Sequence, residues 1–259
     1  MRKIILSNQK NIRDLGGLIG FEGKKVKSGR LYRGGVLSSH IVNEEDIKII
    51  DSLHLTDIID FRSEIEFANR HDYPFEGVTF HNFVAMINDI KKDDNKHEDS
   101  NLLWFLKDDL DGFKHMYEIY PKITVDPVGI AAYQKFFELL VSKDDGVFYF
   151  HCSQGKDRAG LAAYFLEMAL GVSKEQAFED YMMSNEAMEI RLARLKKMVE
   201  NEPFYNEKYS KAMDEVFAVD PRYLNHALEV IEETFGSMDN YLRNVLKIDI
   251  EKLRKLYLE

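Results

Sequence analysis

His151–Gly160 reads HCSQGKDRAG and contains Cys152, the only cysteine of the 259-residue chain. Gly155 follows that cysteine three positions on, and Arg158 six positions on. The apolar run Val147-Phe148-Tyr149-Phe150 predicts a buried strand before it, and Leu161–Leu170 predicts a helix after it. A thiol in a short loop, a helix N-terminus and a guanidinium on the first turn together make a phosphate-binding nucleophile site. The thiolate is the nucleophile, and its free pKa of about 8.5 falls when it faces a helix N-terminus and fixed cationic charge. The backbone N–H groups of Ser153, Gln154, Gly155, Lys156, Asp157 and Arg158 can curl into a nest around the three non-bridging oxygens of a phosphate or another oxyanion. Arg158 adds a planar fork that binds two of those oxygens and follows them into the transition state. Gly155 lets the backbone turn tightly without a Cβ entering the cradle. With charge held this way, phosphoryl transfer to sulfur needs no metal and no cofactor. Around a single cysteine, residue frequencies of about 2–7% make the chance coincidence of His151, Gly155 and Arg158 rarer than roughly one in ten thousand.

The loop resembles the His-Cys-x5-Arg signature of the cysteine-dependent protein tyrosine phosphatase superfamily. Asn11–Gly17, NIRDLGG, is similar to the N-terminal Asn-Phe-Arg-Asp-Leu-Gly-Gly signature of a bacterial and fungal tyrosine phosphatase family. The loops of that family typically carry the Gly-Lys-Asp-Arg core found at Gly155–Arg158. LYRGG (Leu31–Gly35), IIDFRSEIE (Ile58–Glu66), DYMMSN (Asp180–Asn185) and GSMDNYLRNVL (Gly236–Leu246) extend the likeness over nearly the whole chain. The resemblance implies a protein tyrosine phosphatase that hydrolyses phosphomonoesters through a phosphocysteine on Cys152. Phosphotyrosine protein is the default substrate it implies, with phosphoserine, phosphothreonine and phosphoinositides as widenings. The chain departs from the family at Ala159, where a threonine or serine usually follows the arginine. That hydroxyl helps the sulfur leave during hydrolysis of the phosphocysteine, so its loss predicts a slow second half-reaction. A phosphate-binding module that has lost turnover is the alternative of another class, and Ala159 is its one hint.

A general acid must protonate the leaving oxygen, and three aspartates are candidates. Asp157 lies inside the loop and ranks first. Asp60 ends the apolar strand Asp57–Phe61 at the C-terminal edge of the sheet, where such sites form, and ranks second. A structural pairing with Arg13, Arg33 or Arg62 is its other reading. Asp126 ranks third, because Asp126-Pro127 reads as an N-cap followed by proline at the first helical position.

Lys156 either extends the positive field to a second phosphate or is a solvated lysine balancing Asp157. His151 is expected to bond backbone and shape the surroundings of the thiolate rather than act as a base. Arg13, Asp14, Arg33 and Arg62 either brace the loop or hold the fold as ordinary ion pairs.

Thirty-five basic against 45 acidic residues give a formal charge of −10, which argues against nucleic acid as the main partner. A local positive pocket within a negative surface still admits an anionic substrate. A lone cysteine excludes a disulfide framework, and a reducing compartment suits a catalytic thiolate. The opening MRKIILS is too short for a secretory apolar region, and no stretch of about 18 apolar residues occurs. These features predict a cytoplasmic protein without stable membrane insertion, unless the gene encodes a leader ahead of this sequence.

Around the loop, apolar runs at Asp57–Phe61, Val78–Phe83 and Val147–Phe150 predict strands. Asn43 caps a predicted helix through Leu53, Gly171 stops the catalytic helix, and Ser173-Lys-Glu-Gln176 resembles a capping box. Arg222–Phe235 and Met238–Leu246 predict two further helices. Strands alternating with helices imply an α/β fold around a mainly parallel sheet, as one phosphatase domain over residues 1–259. Two segments are candidate covers for the pocket. Residues 90–112 join a charged run to an apolar cluster with the sole Trp104, and residues 184–217 set Met188 and Met198 around the basic stretch Arg191–Lys197. Ordinary amphipathic packing is the other reading of those methionines.

Overall fold

The computed structural model describes residues 2–9, 11–87 and 111–259. Six strands form one mixed sheet: β1 (Arg2–Ile4), β2 (Ile12–Asp14), β3 (Leu31–Gly35), β4 (Asp57–Asp60), β5 (Thr79–Asn82) and β6 (Phe148–Cys152). Their spatial order is β1-β2-β3-β6-β4-β5. β1, β2 and β3 pair antiparallel, while β3, β6, β4 and β5 run parallel. The expected mainly parallel α/β fold is therefore present. The antiparallel N-terminal ribbon is new, because its three-residue strands carry too few side chains for a period to show in sequence.

β6 lies between β3 and β4, and all five of its residues are buried. A strand covered on both faces reads as a continuous apolar run, which is why Phe148-Tyr149-Phe150 carries no polar alternation. The period of two is still visible in where the side chains go. Phe148 and Phe150 join the large core with Phe136 and Phe165, whereas Tyr149 joins Ile12, Leu37 and Ile58 across the sheet. Burying each such ring contributes about 1.5–3 kcal/mol.

Helices supply most of the large core. α1 (Glu44–Asp51) and α2 (Glu64–Asn69) follow β3 and β4. α1 packs on the smaller core through Ile50. α3 (Gly112–Val125) and α4 (Pro127–Ser142) precede β6. α5 (Arg158–Leu170) follows it and is buried on nearly every side, as a central helix that is apolar all round must be. It ends at Gly171, whose φ of 79° supplies the left-handed cap. α6 (Lys174–Met182) starts at Ser173, whose hydroxyl accepts from Gln176 N. Only half of the expected box forms, because the Gln176 side chain accepts from Ile19 N instead.

α7 (Ser184–Val199) and α8 (Glu207–Phe217) span the second candidate cover. Met188 is buried, but Met198 is 66% exposed, so the two methionines do not share one packing role. The first candidate cover, residues 90–112 with Trp104, lies outside the described residues except at 111 and 112. α9 (Pro221–Phe235) forms as expected. The predicted helix at Met238–Leu246 is instead one α-turn, Met238–Asn240, running into a π-turn, Tyr241–Val245. α10 (Ile250–Tyr257) ends the chain. Among the described residues no helix is long and apolar enough to cross a membrane.

Candidate active site

Cys152 is the last residue of β6, 2% exposed, and opposite Gly35 of the parallel strand β3. The chain then turns through Ser153–Asp157 and enters α5 at Arg158. The backbone carbonyls of that turn are held from outside. Asn11 Nδ2 donates to the Gln154 carbonyl at 2.9 Å, Arg33 to the Gly155 carbonyl at 2.7 Å, and Val36 N to the Ser153 carbonyl at 3.4 Å. Peptides are planar, and those here are trans, so an outward carbonyl turns the next N–H the opposite way. The N–H groups of Gln154, Gly155 and Lys156 are thereby aimed into the turn, as a nest for an oxyanion requires.

Gly155 has φ of 73°, which favours glycine. Its Cβ would lie 2.1 Å from the Gly34 oxygen and 2.7 Å from Gly35 N. The missing side chain therefore makes room for the strand behind the loop, not for the phosphate in front of it. Gly34 and Gly35 of LYRGG make room for other neighbours: a Cβ would lie 2.3 Å from Tyr149 OH at Gly34 and 2.2 Å from Gln9 Nε2 at Gly35.

Arg158 is fixed by a residue whose type and position in sequence do not single it out. Its NH1 bonds Glu66 Oε2 at 2.6 Å and its NH2 bonds Glu66 Oε1 at 2.7 Å. Ser153 Oγ donates to the same Oε1 at 2.8 Å, and Ser63 N donates to Oε2 at 2.9 Å. Burial pushes the Glu66 carboxyl up, but Arg158 and these donors outweigh it and hold it far below the carboxylate range. The local signal is Ser63-Glu-Ile-Glu66, a capping box at the start of α2. It marks a helix start and gives no hint that the glutamate also faces an arginine 92 positions on.

Arg33 and Arg13 converge on Asp180 of DYMMSN. Arg13 Nε reaches Asp180 Oδ1 at 2.6 Å, and Arg33 pairs with Oδ2. Arg33 thus braces the loop directly, and Arg13 braces Arg33 through their shared carboxylate. Asp14 does not join them; it accepts from Gly16 N and Gly29 N at 2.8 Å each and shapes the NIRDLGG turn.

Asp60 is placed as the ion-pair partner of Arg62, the other reading of it in the sequence. It is 2% exposed, and Arg62 bonds both of its oxygens at 2.6–2.9 Å. Two residues on, Arg62 folds back over the strand end and takes up the charge that the chemistry would have needed. Asp60, Asp72 and His151 offer ligand atoms within 4.8 Å of one another. Arg62 bonds both aspartates, so the cation there is already a guanidinium. His151 Nδ1 lies 3.1 Å from the Cys152 carbonyl, and Nε2 lies 3.3 Å from Asp72. Burial pushes His151 down, but Asp72 and Asp60 outweigh it and raise it above its ordinary value. Asp72 is lowered to about 2: burial raises it, and His151 and Arg62 more than compensate.

Asp126 is exposed between α3 and α4, where Pro127 opens the helix; its side chain does not cap it. Asp157 is different. It occupies the N-cap position of α5 yet makes no cap hydrogen bond. Its Oδ1 instead accepts from Tyr120 OH at 2.6 Å and Lys156 Nζ at 2.9 Å, and its side chain is 21% exposed. Lys156 does balance Asp157, but it is 4% exposed and also donates to the Val216 carbonyl at 3.0 Å, so it is not the solvated lysine expected. Tyr120 carries no sequence signal.

A buried thiol at a strand end, an inward-facing nest and a clamped arginine form the site of a cysteine-dependent phosphatase. Residues 4–259 match the family model described as a tyrosine phosphatase family, and the chain belongs to that family. It is a protein tyrosine phosphatase. A Cupriavidus necator protein, provisionally named a tyrosine-protein phosphatase, is 31% identical over 96% of this chain and 85% of its own length. The triple specificity protein phosphatase PtpB of Mycobacterium tuberculosis is 26% identical over 85% of this chain and 86% of its own. The solved core catalytic domain of the PP-IP phosphatase SIW14 of S. cerevisiae covers 89% of this chain and 96% of that one, at 12% identity and a TM-score of 0.37.

Proposed function

We propose that the reaction runs as follows. The Cys152 thiolate attacks phosphorus, the S–P bond forms, and the bond from phosphorus to the alcohol oxygen breaks. Asp157 gives its proton to that departing oxygen. The N–H groups of the Ser153–Arg158 turn and the Arg158 guanidinium hold the three non-bridging oxygens throughout, where charge stabilisation is worth most. Water then attacks phosphorus and Asp157 as the base takes its proton; the new O–P bond forms as the S–P bond breaks, which releases inorganic phosphate and restores the Cys152 thiolate. The observation that carries this assignment is the uncapped Asp157: a carboxylate at a helix N-terminus that leaves the helix unbonded is open to proton transfer.

As substrate we propose phosphotyrosine protein, with phosphoinositides as the alternative. The triple specificity in the name of the PtpB relative favours a site that takes more than one phosphomonoester. The whole chain would serve as one phosphatase domain, with residues 184–217 as the candidate cover of the pocket. The chemistry needs a reduced thiol, which favours the cytoplasm. Phosphate release from a phosphotyrosine peptide, a phosphoserine peptide and a soluble phosphoinositide, with Cys152→Ser as blank, tests the reading. Release by the wild type alone supports it, and the rank order chooses the substrate. Oxyanion binding without any release would instead favour a binding module.

A further inference from the structure

Asp157 has two carboxylate oxygens in unlike surroundings. Oδ1 receives Tyr120 OH at 2.6 Å and Lys156 Nζ at 2.9 Å. Among the described residues no hydrogen bond falls on Oδ2. A proton placed on Oδ1 would face two donors and break at least one of these bonds. A proton placed on Oδ2 costs neither.

The donor side is equally constrained. Tyr120 lies on α3 and is fully buried, with its ring 5.6 Å from Tyr223 and 6.3 Å from Tyr181. Its hydroxyl also lies 2.7 Å from Tyr181 OH. A phenol has one proton to give. With that of Tyr120 directed to Asp157, Tyr181 is the donor available between the two tyrosines, and its 2.7 Å contact with Tyr120 is shorter than its alternative bond to the Asp220 carbonyl at 3.4 Å. Burial, and then the Asp157 charge, raise both phenols well above their ordinary value, so both stay donors across the working range. The pair cannot rotate freely, because both rings sit in the core.

We infer that Tyr120, held by Tyr181, is the positioning residue of the general acid: it fixes the Asp157 carboxyl so that Oδ2 carries the transferable proton toward the leaving oxygen. Lys156 supplies the second bond to Oδ1, and its tie to the Val216 carbonyl links the acid to the end of α8. The inference rests on Asp157 being the acid. It assigns no contact with substrate to Tyr120.

Protonation of the leaving group matters only when that group is a poor one. The test is therefore kcat/KM of Tyr120→Phe, which keeps the ring, on two aryl phosphates. One is phenyl phosphate; the other is an activated ester whose phenol is already stable as an anion near neutral pH. The expected result is a loss of about 10-fold on phenyl phosphate, a fraction of what an acid contributes, with under about 2-fold on the activated ester. Vanadate should bind as to the wild type, since the nest is untouched. Equal losses on both esters, or weakened vanadate binding, would show a merely structural tyrosine and overturn the inference. Should Tyr120→Phe fail to fold, Tyr181→Phe must give the same bias in smaller measure, and an unbiased Tyr181→Phe overturns it as well. Asp157→Asn separates the two ideas. A leaving-group bias in Asp157→Asn but not in Tyr120→Phe sinks the positioning role alone. No bias in Asp157→Asn sinks the assignment of the acid, and the positioning role with it.

Discussion

Arg158 and Glu66 meet in a two-point pair, 2.6 and 2.7 Å, with both side chains about nine-tenths buried. The guanidinium proposed to track the phosphoryl oxygens is thereby oriented by the fold itself. Both terminal nitrogens of its fork face the Glu66 carboxylate. Glu66→Gln keeps the size and one acceptor but removes the charge. It is expected to lower kcat/KM by roughly 10²–10³-fold, the range found when one preorganised donor is lost. Removing one charge of this buried pair should also cost about 3–5 kcal/mol of stability. Steady-state kinetics and denaturant unfolding check the two numbers separately. Wild-type activity in Glu66→Gln would show that the loop orients Arg158 without help.

Gly155 is expected to tolerate no side chain at all. Gly155→Ala must hold a non-glycine residue at φ of 73° and push the Gly34–Gly35 peptide away. Strain at such a site exceeds the roughly 1 kcal/mol typical of a mild glycine change. The shifted β3 also takes Arg33 away from the Gly155 carbonyl. Calorimetry should show a lowered Tm together with weaker vanadate binding. A fall in Tm with vanadate affinity intact would separate the fold from the nest.

How much of this is legible in the sequence depends on the range of each interaction. The loop itself is readable because Cys152, Gly155 and Arg158 lie within seven residues, and one turn of chain brings them together. The parallel strands are readable because burial on both faces leaves an unbroken apolar run. Glu66 is hidden because its local role, closing a capping box with Ser63, already accounts for it. Tyr120 is hidden for another reason: one tyrosine in an amphipathic helix looks like core, and most of its ring is core. Asp60 shows the opposite case. Its place at a strand end suggests chemistry, but Arg62, two residues on, neutralises it, and the spacing of the two does not reveal that the side chain folds back.

Ala159 stands at the start of α5, fully buried, with no hydroxyl to offer the sulfur. In the family resemblance that hydroxyl speeds departure of Cys152 from phosphorus. Stopped-flow kinetics on an activated aryl phosphate is therefore expected to show a burst of one phenol per enzyme, then a slower steady state. Ala159→Thr should raise the steady rate by roughly 10-fold, the order of one hydrogen bond to a charged group, without changing the burst rate. A linear progress curve in the wild type would show that dephosphorylation is not slow.

His151 and Asp72 give the fold a defined pH window. Asp72 Oδ1 accepts from Leu37 N, and its Oδ2 faces Arg62 and His151; Asp60 is the other carboxylate beside the imidazole. Asp72 sits at about 2 in the folded protein against about 3.9 for a free aspartate. Its contribution is therefore complete above about pH 4 and is lost as pH falls toward 2; it amounts to roughly 2 kcal/mol. His151 is raised, so its contribution is complete below its unfolded value of about 6.5 and is lost as pH rises through the folded one. Asp72→Asn should cost stability most near neutrality, and the gap to wild type should shrink as pH falls from about 4 to 2. Burial pushes His151 down and Asp72 is the largest charge that raises it, so without Asp72 the imidazole should titrate lower in the variant than in the wild type. Tm against pH for both proteins, with the His151 ring followed by NMR, reads both limbs. A stability gap that stays constant across the acid range would mean that the Asp72 carboxylate is not held by His151 and Arg62 as these distances require.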